Sequence, residues 1–313
     1  MHDSYYYLPS LDISKWQDHI LLASADTYHT SANNEAPIFI TARFRSGSTM
    51  LWNIFRHIPG ITAYYEPLHP TLGASRIQSV DPTHDFVEGG YWAEYDRIPD
   101  IEQWHTYRWH YEDLYLDESH HRPELAAYIT KLIDSADNRA ALQFNRVDFR
   151  VAWLRYTFPQ ARLIHLFRNP RDQWVSTLRN PIFRPYDPVN TFMAYDHFFL
   201  LPWVNNLKSP FPILDWEKVS HPYCMFYIIW KLSYIWGRTY SELSVAYEDL
   251  LDNPQSTIND IFNVLCVAEQ HVQQMVKLVR AKPIGKWETY AYNRWFTDHE
   301  RIADELLDSW FLL

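Results

Sequence analysis

The chain has 313 residues, 28 of them basic and 38 acidic, for a net charge of −10. Hydrophobic residues at 47% and charged residues at 21% are ordinary for a globular protein; this excludes a disordered chain, and 7 Gly in the whole sequence excludes collagen. An acidic chain binds nucleic acid and anionic membrane poorly, so an anionic ligand here requires a local basic cluster.

Along the chain, residues 1–36 read as a polar, irregular lead-in. Pro37-Ile38-Phe39-Ile40-Thr41 is a short, β-branched apolar run that predicts a buried strand. The turn Ala42-Arg43-Phe44-Arg45-Ser46-Gly47-Ser48 follows, then helical spacing over 49–58, closed by Pro59-Gly60. A second strand is predicted over 61–65 and leads into Glu66-Pro67-Leu68-His69-Pro70. Residues 71–122 have no clean period and form an aromatic insertion in which short helices are expected, with the histidines of 105–121 on its solvated surface. Beyond it the pattern predicts a helix over 125–134, a strand over 140–144, a helix over 147–157 and a strand over 162–167. That strand runs into Arg168-Asn169-Pro170-Arg171-Asp172 and a helix to residue 178. Residues 181–222 are Pro-rich and aromatic. A long helix over 223–243, a strand over 244–247 and helices over 254–265, 268–280 and 298–308 complete the chain.

Short apolar strands alternating with helices predict an α/β fold with a central parallel sheet flanked by helices. The chain is read as one domain over 1–313, with 181–243 as a helical acceptor-side region. Cys224 and Cys266 lie in no CxxC pair, so neither a zinc site nor a disulfide framework is expected. Residues 1–10 lack the charged start and apolar run of a secretory leader, and the longest apolar run, 223–230, is too short for a bilayer. A cytoplasmic protein without a membrane span, a metal or a nucleic-acid partner is expected.

In parallel sheets, ligands bind at the carboxyl ends of the strands, and both basic turns lie there. A strand-to-helix turn presents free backbone N–H groups, and Arg45, Ser46, Gly47, Ser48 and Thr49 can wrap an anion. Taken alone, the turn is also what an N-capped helix after a strand looks like. Gly47 is not followed by Lys, so the Walker pattern is unmet and an ATPase gripping phosphate and magnesium is disfavoured. In the second turn Arg168 ends a strand, Asn169-Pro170 follows, and Ser176 stands eight positions after the Arg. A guanidinium fork and a hydroxyl are a phosphate-binding pair.

These two turns, in this order, resemble the sulfotransferase family that takes its sulfuryl group from 3′-phosphoadenylyl sulfate (PAPS) and releases PAP. The Arg45-Ser46-Gly47-Ser48-Thr49 loop is similar to the carbohydrate and tyrosylprotein branches, where Arg replaces Lys. The resemblance implies a P-loop-nucleotide-hydrolase-like fold, with Arg45 facing the bridging oxygen and amides from Gly47 to Met50 on the 5′-phosphate. It further implies that Arg168 and Ser176 take the 3′-phosphate. Ala246-Tyr247-Glu248-Asp249-Leu250 resembles the family's Tyr-Glu-Asp-Leu run, which puts Tyr247 beside the adenine and makes Glu248 and Asp249 structural. Lys282, Lys286 and Trp287 are loosely similar to its late basic loop, or else the two lysines are solvated. Met50 replaces the Trp that stacks adenine in the cytosolic branch; Trp287 can take that role, while Trp52 suits the core.

Arg does not release its proton at accessible pH, so Arg45 acts by charge and hydrogen bonding. For the base, Glu66 resembles the Glu-Pro segment of carbohydrate sulfotransferases, and partial desolvation would raise its pKa toward neutrality. His69 is the rival. The structural alternative for Glu66 is a salt bridge ordering Arg43 or Arg45. The acceptor, a small molecule or carbohydrate, is expected against 86–115, where Tyr91, Trp92, Trp104, Tyr107 and Trp109 lie, unless those rings pack on one another. The other functions kept open are a P-loop-like kinase and a non-catalytic nucleotide-binding protein of the same fold.

Overall fold

The computed structural model describes residues 14, 16, 35–72, 84–178, 185, 200–280 and 283–311. Five strands form one parallel sheet in the order β2-β3-β1-β4-β5. They are β1 (Ile38–Ala42), β2 (Ile61–Tyr65), β3 (Arg139–Phe144), β4 (Arg162–Phe167) and β5 (Leu243–Ala246). β1 is buried along its whole length, as a strand covered on both faces must be. Its neighbours β3 and β4 come later in the chain, so the strand order reverses at β1, the position where doubly wound sheets open a crevice.

The register aligns the strand ends. Thr41 pairs with both Phe144 and His165, Tyr65 pairs with Gln143, and Phe167 pairs with Ala246. The next residues out are Glu66, Asn145, Arg43, Arg168 and Tyr247, which leave one edge of the sheet side by side.

The helices are α1 (Ser48–Arg56), α2 (Ile101–Trp104), α3 (Pro123–Asp134), α4 (Val151–Thr157), α5 (Pro170–Thr177) and α6 (Leu200–Leu207). They continue as α7 (Pro222–Tyr240), α8 (Tyr247–Asp252), α9 (Pro254–Leu265), α10 (Val272–Val276) and α11 (Asn293–Phe311). α7 is buried on every side from Pro222 to Gly237, which explains its apolar surface all round. It begins with Pro222 at the first turn and the His221 ring accepting from the Tyr223 N–H at 3.0 Å. Within it Tyr227, Trp230 and Tyr234 stack with ring centroids 5.8 and 5.5 Å apart.

The larger departures from the sequence pattern are at helices. α7 ends at Tyr240, because Glu242 is drawn to β4: its N–H donates to the Leu163 carbonyl and its carboxylate accepts from the Leu163 N–H and from Arg155. α4 starts at Val151, since Phe149 bridges to Tyr115 and the Arg150 side chain binds the carbonyls of Trp109, Glu112 and Asp113. The helix expected over 268–280 is a 3-10 turn over Glu269–His271 followed by the short α10. The last helix begins five residues earlier than expected, at Asn293.

The aromatic insertion does hold short helical turns, but two of its histidines correct the expectation of a solvated surface, while His120 is half-buried and His121 exposed. His105 and His110 are buried; the His105 ring packs edge-on against Trp109 and Tyr128. Tyr91, Trp92 and Trp109 are also buried, whereas Trp104 and Tyr107 are 43% and 56% exposed. His165 is a core residue hydrogen-bonded to Ser244 at 3.1 Å. Among the described residues, no helix is long and apolar enough to cross a membrane.

Candidate active site

Two positive-φ residues shape the first turn, Arg45 at 65° and Gly47 at 91°. Such a sequence of conformations turns successive N–H groups toward one point. Gly47 has no side chain with which to cap α1. It also has no room for one: a Cβ there would lie 2.2 Å from Cδ2 of Tyr247. Ser46 shapes the turn from inside, with both its N–H and its hydroxyl on the Arg43 carbonyl at 3.3 and 2.6 Å. Ser48, Thr49 and Met50 are buried in the first turn of α1, and the Met50 sulfur accepts from the Arg280 N–H at 3.4 Å.

The second turn meets the first. Arg168 donates from Nη1 to the Arg45 carbonyl at 3.2 Å, and its guanidinium lies 4.8 Å from the Tyr247 ring. Its own carbonyl is held by Trp230 Nε1 at 3.1 Å. Arg168 is buried, yet among the described residues its Nε has no hydrogen-bond partner, an orphan donor on a cation. Arg45 crosses to α5 and donates from Nε to the Ser176 hydroxyl at 2.9 Å and the Ser176 carbonyl at 3.1 Å. Arg45, Gly47, Arg168, Ser176 and Tyr247 therefore form one group. Burial holds the Tyr247 phenol above its usual pKa, so it stays neutral beside the cation.

The match to the Sulfotransferase family model covers residues 37–197, just over half of the chain and both basic turns. The chain belongs to the sulfotransferase family. No curated protein matches it. Among solved structures, it is similar to the sulfotransferase domain of the Synechococcus PCC 7002 olefin synthase, at 17% identity over 90% of this chain and 98% of that one, TM-score 0.40. It is also similar to sulfotransferase STF9 from Mycobacterium avium, at 14% identity over 89% and 77%, TM-score 0.46. A third likeness is to the sulfotransferase from Alicyclobacillus acidocaldarius, at 15% identity over 89% and 99%, TM-score 0.39.

The rest of this sulfotransferase's second turn is structural. Asn169 caps α5 by accepting from the Arg171 and Asp172 N–H groups. Arg171 is fully buried, paired through both Nε and Nη2 with the Glu300 carboxylate at 2.8 and 2.6 Å, between the rings of Trp287 and Phe296. Asp172 accepts from the backbone N–H groups of Gly285 and Trp287, at 2.7 and 3.2 Å. It thus ties the late loop to α5. In that loop Trp287 is buried and Lys286 exposed; Lys282 lies outside the described residues. Glu248 accepts from the Asn169 N–H at 3.0 Å, the structural part expected of it. Trp52 is in the core, its indole donating to the Ala63 carbonyl at 2.8 Å.

Glu66 follows β2 with φ 37°, a left-handed conformation that is costly for Glu. The salt bridge considered for it exists, but its partner is Arg146, from Nη1 to Oε2 at 2.6 Å. Asn145 donates to Oε1, also at 2.6 Å. The expected rise of its pKa toward neutrality does not occur. Burial alone would raise it, but Arg146, helped by His69 and the Tyr65 hydroxyl, holds the carboxyl below its usual range. The Tyr65 hydroxyl is also 3.2 Å from Thr49 Oγ1, which connects Glu66 to the first turn.

His69 has its pKa pushed down to about 4 by burial, so its ring is neutral at physiological pH. The Thr71 N–H donates to its Nδ1 at 3.2 Å. A backbone N–H can only donate, so the neutral ring carries its proton on Nε2 and has no basic nitrogen there. Sequence reading missed Asn145 and Arg146 altogether. They carry no motif, and only the pairing of β2 with β3 puts them beside Glu66.

Proposed function

We propose that this sulfotransferase uses PAPS as donor and an acceptor hydroxyl of a small molecule or carbohydrate, with PAP as product. The observation that carries the reading is the contact between the two basic turns, Arg168 Nη1 on the Arg45 carbonyl. It joins the two turns at the switch point of the sheet, and the Arg45 guanidinium reaches across to the Ser176 hydroxyl of the second turn. The Nε of Arg168, without a hydrogen-bond partner among the described residues, fits an anionic ligand such as a phosphate group. When bound, PAPS supplies the sulfuryl group to the acceptor oxygen.

Arg168 and Ser176 would hold the 3′-phosphate, and backbone N–H groups from Gly47 to Met50 the 5′-phosphate. Arg45 would place positive charge on the bridging oxygen, and being permanently protonated it acts as an electrostatic stabiliser. Glu66 is the base in this reading: it is ionised at neutral pH, whereas the tautomer of His69 offers no lone pair at Nε2. His69 then serves as a hydrogen-bond donor beside the carboxylate. Tyr247 borders the adenine. Trp104 and Tyr107 are the aromatic faces left for an acceptor, and the one-domain organisation with residues 181–243 on the acceptor side goes with this reading. The reading also carries a cytoplasmic location.

The test is labelled-sulfate transfer from PAPS to a panel of hydroxyl acceptors, with calorimetric titration of PAP. Arg168→Ala is expected to weaken PAP binding by about 10- to 100-fold, the range for a lost charge-assisted pair. Glu66→Ala is expected to leave PAP affinity unchanged and remove turnover. Full turnover by Glu66→Ala would end the base assignment, and undiminished PAP binding by Arg168→Ala would end the nucleotide reading.

A further inference from the structure

The loop after β3 carries no family motif that the sequence displays, yet it supplies two side-chain partners of the Glu66 carboxylate, one to each oxygen. Gln143 donates from Nε2 to Asn145 Oδ1 at 2.8 Å, which fixes the amide so that its NH2 faces Glu66 Oε1. Arg146 takes the other oxygen, and both members of this ion pair are almost fully buried. The Arg146 guanidinium also lies 4.8 Å from the ring of Phe44, the residue before Arg45. Arg146 thus touches the carboxylate on one side and the first turn on the other. The backbone around Glu66 is fixed as well. Tyr95 donates to the Tyr65 carbonyl at 2.9 Å, Tyr128 to the Pro67 carbonyl at 2.7 Å, and the His69 N–H to the Glu66 carbonyl at 2.8 Å. A left-handed Glu persists only when its surroundings determine it this fully.

We propose that Arg146, with Asn145, is a positioning clamp that holds Glu66 ionised and aimed at the acceptor hydroxyl while registering it against the donor loop through Phe44. The inference rests on the sulfuryl-transfer reading with Glu66 as base. The groups facing the carboxylate are Arg146 and Asn145 from the β3 loop, Tyr65 from β2, His69 from its own segment and Tyr95 from the insertion, with His105 and His110 behind His69. Arg146 provides the dominant attraction that offsets burial; without it, desolvation is left to raise the carboxyl.

The test compares kcat against pH for the wild type, Arg146→Gln, Arg146→Lys, Asn145→Ala and Glu66→Gln, alongside PAP titration. The wild type is expected to show no acid limb down to pH 5. Arg146→Gln is expected to bring an acid limb into the measured range, with turnover lost as pH falls toward 5, an upward movement of about one pH unit or more. Arg146→Lys is expected to restore most of the wild-type profile, and Asn145→Ala to move the limb in the same direction by less. PAP affinity stays unchanged in all of them. An Arg146→Gln profile that overlays the wild type, with Glu66→Gln inactive, overturns the clamp and leaves the base standing. Turnover by Glu66→Gln overturns the base reading itself. If Arg146→Gln does not fold, an Asn145→Ala limb coincident with the wild type overturns the clamp.

Discussion

At position 47 two constraints coincide on one hydrogen atom. The backbone is left-handed, at φ 91°, and the space that a Cβ would enter is filled by the Tyr247 ring. Either constraint favours glycine; together they tie the first turn to the segment after β5. Gly47→Ala is expected to lower stability by about 1–3 kcal/mol from strain and overpacking, and to displace Tyr247 from Arg168. A denaturant midpoint falling without a change in slope, with weakened PAP binding, checks it. A stability and affinity equal to the wild type would mean that the ring yields freely. At the same scale, the hydrogen-bonding of His69 decides more than its titration. Its Nδ1 is spoken for by the Thr71 N–H, so a neutral ring can only donate from its far side.

α5 is held at both of its first-turn charges. Arg171 enters a buried pair with Glu300 of α11, and Asp172 receives two backbone N–H groups of the late loop. The helix that carries Ser176 is therefore docked to the last helix and to the 285–287 turn at once. Asp172→Ala removes an acceptor and leaves the Gly285 and Trp287 N–H groups without one. Hydrogen exchange at those two amides is expected to quicken by about one to two orders of magnitude, on the scale of a lost charge-assisted hydrogen bond, while the β1 amides stay protected. Unchanged exchange at Gly285 and Trp287 would mean that other contacts hold the loop.

Across the whole molecule, several histidines are buried in the neutral form. Burial pushes His69 and His105 down to about 4 and His165 to about 3. The unfolded chain binds protons at these rings below pH 6.5, and the native chain does so only below their depressed values. Stability from them is complete above pH 6.5 and declines as pH falls toward 4. His105 has no hydrogen-bond partner at either nitrogen among the described residues. His105→Phe keeps its contacts with Trp109 and Tyr128 and removes up to about 3 kcal/mol of this acid sensitivity. Thermal midpoints at pH 7.5, 6 and 5 are expected to fall for the wild type and to fall less for the variant. Parallel curves would show that His105 becomes protonated without cost.

Local pattern was enough for the strands and for the two basic turns. Strand 61–65 and helix 254–265 have the bounds that apolar spacing and flanking Pro or Gly predicted, because those signals act within a few residues. Arg45, Gly47 and Arg168 were legible because each stands at a strand end, and the sheet order then brought their turns into contact. The fate of Glu66 was not legible. Its neighbours Asn145 and Arg146 lie 79 and 80 residues away, and the pairing of β2 with β3 is what makes them neighbours. The same holds for the buried histidines and for Arg171, whose charge looks like a surface feature until Glu300 is folded against it. Residue types and their spacing determined which chemistry this chain carries. The tertiary structure alone decided which charges are desolvated and with what they pair, since burial and long-range pairing are properties of the packed chain.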